Sequence, residues 1–168
     1  METVYYLDKF QKSVDHFNME SFRQKGLECK IGIWLQSVVL KIQNRSWINA
    51  TPTSRPFEES IFFSVWLNDE LIQNDKLYYN IHALKLRELK GHAIKSREFA
   101  DAFRAKFKPF EKEWPNVSVN FGPLTLMEGW VRLDDKNLED TIRDLAYKFL
   151  KIEFIIDDLL TARKKGIK

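Results

Sequence analysis

The feature that most constrains this chain lies near its C-terminal end. Leu138, Ile142, Leu145, Phe149, Ile152, Ile156 and Leu159 follow one another in alternating steps of four and three residues. That spacing sets all of them on one side of a helix of about six turns. A stripe so long has to be covered by something apolar. A regular heptad can act as a seam between two copies of a chain, which would give a homodimer through the C-terminal helix. The further apolar positions Ala146, Leu150, Ile155 and Leu160 widen the stripe, and a wide stripe is better suited to packing on the chain's own sheet. Asn137 stands at the N-cap position and Asp140 at the third helical position, both suited to a helix N-terminus. Gly166 ends the pattern after the basic run Arg163, Lys164 and Lys165.

The sheet that this helix needs is written upstream. The run Ile31-Gly32-Ile33-Trp34-Leu35-Gln36-Ser37-Val38-Val39-Leu40 is apolar and rich in β-branched residues, and reads as one strand over 28–43. Trp34, Val38 and Ile42 also fit a helical stripe, so a helix is the competing assignment. Segments 60–67 and 76–87 read as a hairpin joined by a polar turn from Asn68 to Asp75. Two shorter strands are expected at 117–121 and 129–133, separated by a Gly122-Pro123 turn. Two more helices are expected. The first is capped by Thr3 and carries Leu7, Phe10, Val14 and Phe17; the second is capped by Ser96 and carries Phe99, Phe103, Phe107 and Phe110. Pro109 should end or kink that second helix. Segment 44–56, with Arg45, Trp47, Arg55 and two prolines, reads as a long loop of the kind that often carries function. The whole is an α+β fold: a mainly antiparallel sheet of about five strands with helices on one face, ordered α-β-β-β-α-β-β-α, in a single domain over 1–168.

Composition narrows the function classes. The chain is 44% hydrophobic and 30% charged with 13 Phe and 5 Trp, which is globular rather than disordered. Its one cysteine, Cys29, allows neither a disulfide framework within the chain nor a Cys/His zinc spacing. His16, His82 and His92 lack ligand spacing, and no phosphate-binding glycine loop or nucleophile elbow occurs. No cofactor and no metal are therefore expected. The opening Met1-Glu2-Thr3-Val4-Tyr5-Tyr6 lacks the pattern of a signal peptide, and no apolar run is long enough to span a bilayer. The expectation is a cytoplasmic protein with no membrane partner.

Candidate function comes from strand parity. Side chains alternate between the faces of a strand, so Ile61, Phe63, Val65 and Leu67 share one face with Leu77, Tyr79, Ile81 and Ala83 on the next strand. The opposite face then carries Ser64, Trp66, Tyr78, Asn80 and His82, joined by Trp34 and Gln36 if 28–43 is a strand. Solvated faces of antiparallel sheets are usually polar along their length. Rings mixed with uncharged hydrogen-bonding groups suit recognition of a protein segment or a small molecule. The expected function is a non-enzymatic binding or interaction domain that uses this face.

The alternative is a nucleic-acid-associated protein. Between residues 85 and 108, Lys85, Arg87, Lys90, Lys95, Arg97, Arg104, Lys106 and Lys108 face only Glu88, Glu98 and Asp101, a balance of +5, whereas residues 134–158 carry −4. Such a basic region can follow a phosphate backbone, with Lys85, Arg87, Lys90, Lys95, Arg97 and Arg104 as contacts. Phe99, Phe103 and Phe107 lie on the stripe expected to be buried, so they are poor stacking platforms. Within the same alternative, Glu88-Leu89-Lys90 has the Glu-x-Lys form used by metal-dependent nucleases. The acid needed to complete it, Asp69, falls at the far end of the hairpin.

Overall fold

The computed structural model describes residues 1–48 and 61–166. The helices are α1 Thr3–Asp15, α2 Met19–Arg23, α3 Asp69–Gln73, α4 Ser96–Phe107 and α5 Leu138–Thr161. The strands are β1 Leu27–Trp34, β2 Ser37–Asn44, β3 Ile61–Leu67, β4 Lys76–Ala83 and β5 Thr125–Arg132. They form one sheet in sequential order, every neighbouring pair antiparallel. The fold is α+β, as the periodicities imply.

Several boundaries differ from the sequence reading. Segment 28–43 is two strands, because the chain reverses at Leu35 and Gln36 between the paired residues Trp34 and Ser37. Both turn residues are left-handed, at φ 49 and 63. That is the two-residue turn whose twist matches a hairpin, built here without the Asn-Gly or Asp-Gly pair that usually marks it. Segment 117–121 is not a strand. Only Ser118 is bridged, its N–H donating to Glu128 O at 2.8 Å and its carbonyl accepting from Glu128 N at 3.0 Å. The turn between β3 and β4 contains α3, capped by Asn68 Oδ1 accepting from Leu71 N at 2.9 Å. The strand expected over 76–87 ends at Ala83, and Leu86–Glu88 is a 3-10 turn. Thr3 and Ser96 begin their helices rather than cap them. Pro109 lies in the 3-10 turn Lys108–Glu113 that follows α4. Of the long loop expected over 44–56, Arg45–Trp47 is a 3-10 turn with Trp47 fully buried; Arg55 lies outside the described residues.

The core lies between one sheet face and the helices. Phe63 of β3 stacks on Phe149 of α5 at 4.7 Å between ring centroids. All seven residues of the C-terminal stripe are buried within the chain, so the stripe packs intramolecularly, as its width implies. Ser13 Oγ of α1 donates to Glu139 O at 2.6 Å, and Asn18 N donates to the Tyr147 hydroxyl at 2.9 Å, tying the first two helices to α5. The two edges of the sheet are unlike. The outer side of β5 is overlaid by Ser118 and by Asn116, whose Nδ2 donates to Trp130 O at 3.1 Å. No described strand pairs with the outer side of β1.

Candidate functional site on the outer sheet face

Registry across the sheet decides which side chains meet on the face turned away from the helices. Lys41 of β2 is opposite Ser64 of β3, Ser64 is opposite Asn80 of β4, and Asn80 is opposite Glu128 of β5. Paired residues point the same way. The four therefore form a polar row across the middle of the sheet. Phe62 and His82 lie on one side of it, and Val39, Trp66, Tyr78 and Trp130 on the other.

The row is connected. Ser64 Oγ donates to Asn80 Oδ1, and Asn80 Nδ2 donates to Glu128 Oε1 at 3.2 Å. Lys41, Ser64 and Asn80 are only 2–3% exposed. Burial of Ser64 and Asn80 is tolerated because they are hydrogen-bonded to each other and to Glu128, since an unpaired buried amide or hydroxyl costs about 1–3 kcal/mol. Lys41 Nζ lies 4.6 Å from the centre of the Phe62 ring. Burial, and then the charge of Lys30 opposite it on β1, push the Lys41 ammonium down to about 8. The row is thus polarised, with a cation under β2 and a carboxylate at β5.

The aromatic flanks are less covered. Phe62 and His82 rings are 5.3 Å apart, as are Trp66 and Tyr78. His82 Nδ1 lies 3.4 Å from both the Leu124 carbonyl oxygen and the Thr125 hydroxyl. Burial holds the His82 imidazolium below its ordinary pKa, opposed by that carbonyl and by Glu128. Trp66 Nε1 is buried and has no acceptor among the described residues. Lys76 Nζ sits 4.3 Å over the Trp130 ring at the far corner.

Of the residues expected on this face, Ser64, Trp66, Tyr78, Asn80 and His82 are brought together by the β3–β4 register. Trp34 shares the face from β1, with its ring folded back over Gly32 so that a Cβ there would lie 2.5 Å from it. Gln36 does not join them. It occupies the β1–β2 turn and is exposed, because the hairpin takes it out of the strand. Lys41, Glu128 and Trp130 were not legible from parity alone. Their membership depends on where β2 begins and on where β5 pairs.

The basic contacts separate differently. Arg104 is internal hardware: its guanidinium donates to the carbonyls of Phe121, Gly122, Thr125 and Leu126 at 2.9–3.2 Å and so holds the loop before β5. Arg87, Lys90, Lys95 and Arg97 remain exposed. Lys85 opens the 3-10 turn in a left-handed conformation, at φ 50. Phe99, Phe103 and Phe107 are fully buried, as their spacing implies. No carboxylate group able to hold a metal gathers around Glu88 among the described residues. Asp69 instead accepts the N-terminal amine at 2.7 Å, at the opposite end of the β3–β4 hairpin. Cys29 is pushed up to about 12 by burial, so its sulfur stays protonated at neutral pH.

The fold and face define an α+β chain with a mixed aromatic and polar sheet surface. No family model, no curated protein and no solved structure matches this chain. No described helix is long and apolar enough to cross a membrane.

Proposed function

We propose that the chain is a non-enzymatic binding module whose outer sheet face receives a protein segment or a small molecule. The observation that carries this reading is the hydrogen-bonded row Ser64–Asn80–Glu128 set between aromatic pairs, on the face opposite the helices. Ser64 and Asn80 are too deep to meet a ligand directly and act by holding their neighbours in place. Contact falls to the half-buried Trp66, Tyr78, His82 and Trp130, whose rings supply apolar area. The Ser64 hydrogen is committed to Asn80, which suits positioning better than nucleophilic attack.

Native mass spectrometry of the purified protein tests the reading. The expected result is a retained mass above the 20.0 kDa chain that Trp66→Ala and His82→Ala each abolish while circular dichroism stays native. Binding should change less than about threefold between 50 and 200 mM salt, because few phosphate-like contacts are involved. Unfolding of both variants would make the face a second core and sink the proposal.

A further inference from the structure

Independently of the sheet face, we infer that the surface shared by residues 85–97 and 163–165 binds the sugar–phosphate backbone of double-stranded nucleic acid. The sequence places these two basic stretches far apart, and the fold joins them. Lys165 N donates to Gly91 O at 2.8 Å, Ala93 N donates to Arg163 O at 2.9 Å, and His92 is bridged to Lys164. Together the two stretches hold eight cations against the single acid Glu88, a balance of +7 in a chain whose net charge is +3. The rest of the molecule therefore carries −4.

One of those cations is engaged elsewhere: Arg163 donates to Leu159 O at 3.1 Å and lies over the Phe99 ring at 5.7 Å. Arg87, Lys90, Lys95, Arg97, Lys164 and Lys165 are exposed and make no ion pair among the described residues. Six like charges concentrated this way repel one another, and an anionic partner with closely spaced charges relieves that repulsion. Helix α4 starts inside the patch at Ser96 with no side-chain cap, adding the positive end of its dipole.

The rings decide between forms of nucleic acid. Single-strand binding relies on exposed aromatic platforms. Here the aromatic residues next to the patch, Phe99 and Phe103, are fully buried. Contact is thus to phosphates, and duplex supplies the denser row of them.

The test is fluorescence anisotropy with a labelled duplex DNA of about twenty base pairs, roughly two helical turns. With six phosphate contacts, affinity should fall about a thousandfold from 50 to 200 mM salt. The Lys164→Glu/Lys165→Glu variant should bind at least about tenfold more weakly at low salt and flatten the log–log salt slope by about two. Lys148→Glu/Lys151→Glu makes the same change of net charge farther along α5, roughly 20 Å from the tail, and should bind like the wild type. Absence of wild-type binding at low salt, or equal losses in both variants, would overturn the inference. Tighter binding to phosphatidylserine vesicles than to the duplex would overturn it as well. The wild-type salt slope reads the site without depending on how any variant folds.

Discussion

Two buried charges make the pH dependence of this protein unusual. Lys41 titrates near 8 in the folded chain and near 10.5 when unfolded. The unfolded state therefore holds the proton more firmly, and stability from this group rises as pH climbs from about 8 to 10.5. Lys41→Met should raise the melting temperature at pH 7, with the gain shrinking toward pH 10 in thermal denaturation followed by circular dichroism. Glu153 works in the other direction. It is 5% exposed, receives Lys25 Nζ at 3.3 Å, and is pushed up to about 7 by burial first and by Asp157 second. Asp157 in turn accepts the Trp47 indole N–H at 2.8 Å. A carboxyl raised from 4.5 to about 7 favours the fold fully below pH 4.5 and loses that advantage as pH passes through 7. Glu153→Gln should therefore stabilise the protein at pH 8 and have little effect at pH 4.5. An unchanged difference between those two pH values would remove Glu153 from this role.

At the level of elements, the hairpin turn is the place where local chemistry and local geometry disagree most. Leu35 is 97% exposed and left-handed, a conformation that a bulky residue rarely adopts. Leu35→Asn with Gln36→Gly fits the same turn without strain and removes no packing. It should stabilise by about 1 kcal/mol in urea denaturation, with an unchanged m-value. Gly129 behaves oppositely: a Cβ there would lie 2.3 Å from the Tyr79 hydroxyl, which donates to Pro115 O at 2.7 Å. Gly129→Ala should destabilise, read as a lower urea midpoint, because the Tyr79 ring carbon also lies 2.5 Å from the new Cβ. These two sites also show what the sequence can and cannot reveal. Parity is a period of two, so the inner and outer faces of β3 and β4 were readable residue by residue, down to Ser64 beside Asn80. The break at Leu35 was not, because tertiary packing imposes a turn that the residues themselves do not favour. That one unseen turn misplaced Gln36 and hid Lys41. Segment 117–121 failed for a related reason: its alternation is strand-like, but only Ser118 finds partners.

Across the whole molecule, charge is divided as sharply as polarity is. An end carrying +7 against a remainder of −4 has internal repulsion that salt relieves. Raising sodium chloride from about 20 to 150 mM should lift the melting temperature by about 2 °C, and Lys164→Glu/Lys165→Glu should reduce that response. A melting temperature that falls with salt would mean that attractive pairs, such as Arg45 with Glu28, outweigh the patch. The sheet has its own asymmetry. A strand edge with unpaired peptide groups is a template for another strand, and chains with two such edges can polymerise without limit. Here Ser118 and Asn116 overlay β5, while the far side of β1 has no described partner. Among the described residues only the β1 rim is open, so a strand added there would find no second open rim on β5 from which a row of copies could grow.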